Sequence, residues 1–301
     1  MQMRADPYAD AMSSSTADTQ AFKATMRHQW DAAARGWDAH SPQIRSWLRP
    51  STDAMIAMAG VLQGSRVLDV AAGAGDQTLD LAERVGPTGA VVATDLSPAI
   101  VAFARDRARR AGFDQVRCLV ADGEDLPVEP ASFDAAVCRL GLMFFPDPLQ
   151  GLTQMHRALR PGGGVCTVVF SGPQKNPCLA ILMATARRHA GLPALDAGSP
   201  SAPGSLFSLA HPGRIDALFH EAGFRDVATT AVDAVFRLPS VDDYLAFVRS
   251  SASPILQLLA GLGAAAAEAA WADIKDQLRA FDTPTGWDGP NELLLTAARR
   301  P

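Results

Sequence analysis

Short apolar runs alternate with amphipathic stretches along most of the chain. Runs rich in β-branched residues occur within residues 67–78, 90–94 and 115–120, and a stretch with helical spacing or a turn follows each of them. Ser97 and Asp147 each precede a proline, which is the arrangement of an N-cap before the first helical position. This alternation predicts a parallel sheet covered by helices on both faces.

The same pattern predicts further elements beyond the first three strands. The expected strands are 133–138, 164–170, a strand near 225–236 and a final strand at 291–299, and the expected helices are 98–111, 148–159 and 212–222.

Three segments depart from the alternation. Residues 22–60 have a helical pattern and carry three tryptophans. Residues 171–209 are rich in proline, glycine and serine around an apolar helix predicted at 177–190. Residues 240–287 begin with a capping box, Ser240 to Asp243, and continue as two or three predicted helices rich in alanine and leucine. We expect these segments to cap the carboxyl ends of the strands, where ligands bind in open α/β sheets. The predicted division is a flexible leader (1–20), a helical cap segment (21–60), a core (61–170), a cap insertion (171–208), more core (209–239), a helical cap insertion (240–288) and the last core strand (289–301).

The stretch VLDVAAGAGDQT, residues 67–78, predicts a strand that turns on two glycines into a helix. Gly73 and Gly75 have no Cβ, so the backbone can turn sharply and a ligand can lie against the first turn of the helix. A dinucleotide-binding fingerprint has a third glycine where this chain has Thr78. The turn by itself therefore indicates a nucleotide-like ligand without identifying it.

Acidic residues follow the next two predicted strands. Asp95 lies twenty-two residues after Gly73, a spacing at which a carboxylate can accept hydrogen bonds from both ribose hydroxyls of NAD or of an adenosyl ligand. Asp122 and the backbone amide of Gly123 offer the acceptor and donor that an adenine edge needs. A single Asp after a strand more often caps a turn, but three consecutive strand ends favour a binding site.

In order along the chain, the motifs DVAAGAGDQT, ATDLSP, ADGEDLPV, FDAAVCRLGLMFFPDP and ALRPGGG resemble those of the class I S-adenosylmethionine (SAM) dependent methyltransferases, and most closely the branch of the ubiquinone and menaquinone C-methyltransferases. The resemblance covers residues 66–170, with a weaker echo at 209–227. It implies a Rossmann-like α/β sheet of seven mostly parallel strands with the last strand antiparallel, beneath a helical cap. Ala71 stands where many members have glycine.

The resemblance also implies roles for individual residues in binding SAM and its product, S-adenosylhomocysteine. Asp69 would lie near the methionine amino group, the loop 71–75 around the methionine and ribose, Asp95 at the ribose hydroxyls, and Asp122 with Gly123 at the adenine. The predicted cofactor-binding residues are Asp69, Ala71, Gly73, Gly75, Gln77, Asp95, Leu96, Asp122, Gly123 and Arg139.

Other side chains are candidates for the reacting end of the site. Methyl transfer needs alignment and the exclusion of water, and Trp30, Trp37, Met143 and Phe144 could line a dry substrate pocket, although aromatic residues in a cap also pack simply as its core. Arg139, at a strand end, needs a partner: Asp69, the SAM carboxylate or an acidic substrate. His40 is the candidate general base, unless the acceptor is already nucleophilic.

The composition of the chain limits the classes of molecule that it could bind. The net charge of −5 and a pI of about 5.7 provide no general attraction to nucleic acid or anionic lipid. The longest uncharged apolar run, 258–267, is too short to cross a bilayer, and the N-terminus lacks the apolar core of a signal peptide, so we expect a cytoplasmic protein. The four cysteines show no C-x-x-C spacing and predict buried thiols rather than a metal site.

The sequence thus favours a SAM-dependent methyltransferase acting on a small molecule such as a quinol, phenol or amine. Two alternatives stay open: a SAM-fold protein without methyl transfer, acting as a cyclase or regulator, and a nicotinamide-dependent reductase, which Thr78 and the Asp122-Gly123 pair disfavour. The acceptor and the oligomeric state are undetermined by the sequence.

Overall fold

A seven-stranded mixed sheet forms the centre of the protein in the computed structural model, which describes residues 16–194 and 204–301. The strands are β1 (Arg66–Val70), β2 (Ala90–Asp95), β3 (Val116–Val120), β4 (Phe133–Arg139), β5 (Leu159–Phe170), β6 (Arg225–Asp233), β7 (Phe236–Leu238), β8 (Asp282–Thr283), β9 (Gly286–Gly289) and β10 (Glu292–Arg299). The order in the sheet is β3-β2-β1-β4-β5-β10-β6, and only β10 runs antiparallel to its neighbours in that sheet. The predicted fold class, including the antiparallel last strand, is confirmed.

Helices cover both faces of the sheet and its carboxyl edge. They are α1 (Thr16–Ala39), α2 (Ser41–Met58), α3 (Asp76–Val85), α4 (Pro98–Arg110), α5 (Pro148–Ala158), α6 (Pro177–His189), α7 (Arg214–Glu221), α8 (Val241–Ser251), α9 (Ser253–Ala260) and α10 (Ala264–Leu278). The three predicted N-caps form: Ser97 accepts from the N–H of Ile100, Asp147 from that of Gln150, and Ser240 from that of Asp243.

The structure differs from the prediction in the N-terminal leader and in the strand expected near 225–236. Helix α1 begins at Thr16, inside the predicted leader, while residues 1–15 of that leader lie outside the described residues, as do residues 195–203 of the insertion 171–208. The single strand expected near 225–236 is two strands, because the chain leaves the large sheet at Ala234. The second of them joins a small antiparallel sheet, β7-β9-β8, within which the fully buried Trp287 lies.

Helix α1 runs across the carboxyl edge of the sheet and is packed closely against α8. A Cβ added to Gly36 would lie 2.1 Å from the carbonyl oxygen of Ser250, so no larger residue fits at this crossing without moving a helix. The indole N–H of Trp37 donates to the carbonyl of Ser251 at 3.2 Å. Two of the cap segments predicted from the sequence therefore contact each other over the sheet.

All four cysteines are free and buried, and three of them lie in β3, β4 and β5. Burial raises the pKa of Cys138, Cys166 and Cys178 to about 12, so these thiols stay protonated. In the described part of the chain, no group of three or more His, Cys, Asp or Glu side chains is arranged to hold a metal ion. No described helix combines the length and apolarity that crossing a bilayer requires.

Candidate functional site

A cavity of about 1010 Å³, including its open mouth, lies at the carboxyl ends of β1, β2 and β4. We call it the polar cavity, because Asp95, Asp122 and Arg139 line it. Helix α1 closes one side with Lys23, and the glycine turn after β1 forms the floor. Of the ten predicted cofactor-binding residues, eight line it: Ala71, Gly73, Gln77, Asp95, Leu96, Asp122, Gly123 and Arg139.

The backbone of the floor has the conformation of a ligand-binding turn. Gly73 has a φ of +58°, and nothing lies within 4 Å of the position that a Cβ would take there, so the peptide faces open space. Ala71 and Leu140 also have positive φ, +54° and +57°. Such backbone strain in non-glycine residues clusters at functional sites. Ala71 thus adopts a conformation that glycine, its common counterpart in the resembling family, adopts without cost.

Asp95 joins the glycine turn to the next strand end. Its two carboxylate oxygens accept the backbone N–H groups of Gly73 and Ser97, each at 3.0 Å. Burial raises the pKa of Asp95 to about 6 in spite of these hydrogen bonds. Because each carboxylate oxygen can accept a second hydrogen bond, capping the turn and binding a ligand hydroxyl are compatible roles for this residue.

A lysine that the sequence analysis missed occupies the third strand end. The Nζ of Lys23 in α1 lies 2.7 Å from Asp122 Oδ2 and also contacts the carboxylate of Glu124. Burial lowers the pKa of Lys23, but the hydrogen bonds and charges of the two acids outweigh it and raise the pKa overall. Helix α1 is therefore tied by an ion pair to the predicted adenine end of the cavity. No pattern in the sequence around Lys23 indicates this contact.

Two predicted cofactor residues do not line the polar cavity. The buried carboxylate of Asp69 accepts hydrogen bonds from Thr78 Oγ1 at 2.6 Å and Gln77 Nε2 at 3.2 Å, which ties β1 to α3. A Cβ on Gly75, whose φ is +93°, would lie 3.0 Å from Cα of Ala104. Gly75 allows the turn to pack against α4, and Thr78 holds Asp69, so both residues have a packing role in the structure.

Arg139 has a partner other than those expected. It is buried, and its Nη1 donates to the hydroxyl of Thr52 in α2 at 2.6 Å. Burial lowers its pKa, while Asp76, Asp69 and Asp80 oppose that shift through their charges. The guanidinium lines the polar cavity, where its remaining N–H groups are available to an anionic ligand group.

A second cavity of about 740 Å³, the apolar cavity, adjoins the first. Trp30, Trp37, Leu140 and Phe144 line both cavities. The rings of Trp30 and Phe144 meet edge to face with centroids 5.3 Å apart. Among the described residues that line the apolar cavity, none carries a charge. All four predicted substrate-pocket residues, Trp30, Trp37, Met143 and Phe144, are in its wall.

His40 lies outside both cavities. It immediately precedes α2, with Nδ1 2.9 Å from the carbonyl oxygen of Gly36, and its ring packs edge to face against Phe247 at 5.5 Å. No histidine of the described residues lines either cavity. The geometry therefore does not support the predicted role of His40 as a general base.

Comparisons with known proteins agree with this geometry. Residues 43–184 match the model of the ubiE/COQ5 methyltransferase family. A ubiquinone/menaquinone biosynthesis C-methyltransferase UbiE of Idiomarina loihiensis is 38% identical over 130 residues, which are 43% of this chain and 50% of that protein. The chain thus spans about half the length of the curated relative that it matches.

Solved structures share the fold at low sequence identity. The YcgJ protein of Bacillus subtilis superimposes with a TM-score of 0.55 at 19% identity, over 84% of this chain and 99% of that one. The [4+2]-cyclase SpnF superimposes with a TM-score of 0.52 at 20% identity, over 90% and 96%. Taken with the strand order, these matches show that the chain has the fold of these solved structures, and that residues 43–184 are similar to the ubiE/COQ5 methyltransferase family.

Proposed function

We propose that the protein transfers a methyl group from SAM to an uncharged, largely apolar small molecule. The observation that carries this proposal is the junction of the two cavities: a polar cavity built on the glycine turn meets an apolar one at a wall shared by Trp30, Trp37, Leu140 and Phe144. A donor and an acceptor bound on the two sides of such a junction would meet at the aromatic rings.

The residues of the polar cavity fit the groups of SAM. Asp95 has spare acceptor capacity for the ribose hydroxyls, and Gly73 leaves the space that a side chain would fill. Asp122 and Gly123 supply an acceptor and a donor for the adenine edge, and the Arg139 guanidinium suits the methionine carboxylate. Bound SAM supplies an activated methyl group on a sulfonium.

The junction provides the conditions that methyl transfer requires. Aromatic faces such as those of Trp30 and Trp37 attract a cation, and an apolar wall excludes water that would compete as nucleophile or loosen the alignment. The protein's part in the reaction is therefore to orient the two reactants in line and keep the site dry.

The apolar cavity limits the acceptor. An acceptor with a full charge would lose its hydration without finding a partner there, because the described lining residues are uncharged. A quinol or phenol is therefore favoured over an amine. With no histidine of the described chain in either cavity, the acceptor has to bring its own nucleophilic character, as an electron-rich aromatic ring does.

The domain division is part of the same proposal. We treat segment 21–60 together with segments 171–208 and 240–288 as a cap that opens to admit ligands and closes over them. The support is that α1 walls both cavities and is tied to their rims by Lys23 and by Asp31, which accepts hydrogen bonds from Ser97 and Ala99. The buried free thiols and the negative net charge favour a cytoplasmic location without a nucleic-acid partner.

Methyl-labelled SAM incubated with the protein and separate panels of quinols, phenols, amines and thiols tests the function. We expect calorimetry to show SAM binding at micromolar levels, and mass analysis to show one labelled methyl group on a quinol or phenol. Tight NADH binding without SAM binding would overturn the cofactor assignment. SAM binding without label in any acceptor class would favour a SAM-fold protein that does not transfer methyl groups.

A further inference from the structure

Tyr244 of α8 lies in the wall of the apolar cavity and is only 4% exposed. Its ring stacks on Trp287 with centroids 4.4 Å apart and meets Phe236 edge to face at 6.0 Å. The ring is therefore held in place on two sides. Its hydroxyl makes no hydrogen bond to any residue of 18–194, 204–252 or 254–301.

Three other polar groups in this wall are already satisfied. The Ser251 hydroxyl donates to a carbonyl of its own helix, and the indole N–H groups of Trp37 and Trp47 donate to the carbonyls of Ser251 and Ala234 at 3.2 and 2.9 Å. A buried hydroxyl without a partner is costly, and the hydroxyl of a buried tyrosine usually finds one.

The Tyr244 oxygen belongs to a side chain that lines the apolar cavity. In the described chain, several buried side-chain oxygens are inaccessible to solvent and lack a hydrogen-bond partner, such as Ser51 Oγ and Asp80 Oδ2. The Tyr244 oxygen is not among them. A ligand that fills the apolar cavity contacts the Tyr244 side chain. Burial raises the pKa of Tyr244 well above its usual value, so the hydroxyl remains a donor at neutral pH.

We infer that the Tyr244 hydroxyl donates a hydrogen bond to an oxygen of the acceptor and thereby sets the acceptor's orientation in the apolar cavity. This inference rests on the proposed function, which makes that cavity the acceptor site, and it narrows the acceptor to an apolar ring that carries an oxygen. A largely apolar wall binds a flat ring without choosing which edge faces the methyl donor, and a hydrogen-bond donor held in place, such as the Tyr244 hydroxyl, favours one edge. Tyr244 lies outside the family-matched residues 43–184.

The test compares the binding of 1-naphthol and naphthalene to the full chain, saturated with S-adenosylhomocysteine, by equilibrium dialysis. We expect Tyr244→Phe to weaken 1-naphthol binding by about 2- to 12-fold, the range of one neutral hydrogen bond, and to leave naphthalene binding unchanged. Ser251→Ala is the matched control, since it removes a cavity-lining hydroxyl that is already satisfied. It should leave the preference for 1-naphthol intact.

The outcomes separate the two proposals. If Tyr244→Phe keeps the wild-type preference for 1-naphthol, the role of Tyr244 is refuted while the proposed function stands. If neither compound binds to the wild type, the apolar cavity is not an acceptor site, and both the inference and the acceptor assignment fall, whereas the binding of S-adenosylhomocysteine is unaffected.

A second measurement needs no change at Tyr244. The chain has two tyrosines, Tyr8 and Tyr244, so protein labelled with 3-fluorotyrosine gives two fluorine resonances, which Tyr8→Phe assigns. At equal occupancy, 1-naphthol should shift the Tyr244 resonance more than naphthalene does. Equal shifts for the two compounds would refute the hydrogen bond even if Tyr244→Phe failed to fold.

Discussion

Replacing Asp95 with asparagine should weaken cofactor binding strongly. The carboxylate accepts N–H groups from Gly73 and Ser97, each at 3.0 Å, and a further backbone hydrogen bond from Leu96, which leaves acceptor capacity for a ligand hydroxyl. In asparagine an NH₂ group replaces one of the two carboxylate oxygens, so its N–H would face the backbone N–H of Gly73 or Ser97. Losing a charge-assisted hydrogen bond costs about 1.5 to 3 kcal/mol, so we expect the dissociation constant of S-adenosylhomocysteine to rise about 10- to 150-fold.

The raised pKa of Asp95 adds a pH signature. In the free protein this pKa is about 6, compared with 3.8 for an ordinary Asp, because of burial. Ribose hydroxyls that donate to the carboxylate favour its ionised form, so affinity should be constant above about pH 7 and fall by up to about tenfold for each pH unit below 6.

The stability of the free protein should change with pH in the direction opposite to the change in affinity. Since the folded protein holds the Asp95 proton up to about pH 6 and the unfolded chain releases it near 3.8, the unfolded state binds fewer protons between these values. Stability should therefore fall as pH rises from 4 to 6, by about 3 kcal/mol for a shift of this size. Asp95→Asn should remove that part of the decline.

Calorimetric titration with S-adenosylhomocysteine between pH 5 and 8 checks the affinity profile. Asp69→Asn is the matched control, because Asp69 is equally buried and its pKa is also about 6, yet it does not line the polar cavity. This control should keep the wild-type dependence of affinity on pH. If Asp95→Asn binds the ligand as tightly as the wild type and with the same pH profile, Asp95 only caps the turn and the assignment of the cofactor site is wrong.

Two further predictions concern the turn and the cap. Gly75→Ala should lower the free energy of unfolding, measured by urea denaturation, by about 1 to 3 kcal/mol, because φ is +93° and the added Cβ would lie 3.0 Å from Cα of Ala104. Gly73→Ala should cost less stability but more cofactor affinity, because the added Cβ would meet open space. Equal stability losses would contradict the different roles given to the two glycines. Lys23→Met removes the ion pair with Asp122 and Glu124 and should speed amide hydrogen exchange in the N-terminal half of α1. The control Lys275→Met removes an exposed ion pair with Asp242 and should leave the exchange rate of α1 unchanged. If α1 exchanges at the wild-type rate in Lys23→Met, its docking does not depend on the ion pair.

Several features of the protein follow from local sequence alone. The strand runs and the caps at Ser97, Asp147 and Ser240 depend on contacts within a few residues, which periodicity and residue type describe well. The glycine turn and the acids at 95 and 122 were predicted as one site, because consecutive parallel strands bring their carboxyl ends to the same edge of a sheet.

Sequence patterns of this kind do not predict very short elements or close packing between distant residues. Strands β8 and β9 have two and four residues, too few for an alternation to be recognised, and they were hidden in a segment predicted to be helical. The sequence places Gly75 in a turn, but only the position of Ala104 shows that packing against α4 requires a glycine there.

The partners of the site residues were decided by tertiary structure. Lys23 meets Asp122 across 99 residues, and Arg139 meets Thr52 across 87. His40 is a reasonable candidate in the sequence, yet its ring packs against Phe247 of α8 and it lines neither cavity. Tyr244, also in α8, packs on Trp287 and lines the apolar cavity. Local sequence determines which segments form strands, helices and turns; which side chains then share a cavity depends on how those segments pack, because contacts between distant residues form only when the whole core closes around them.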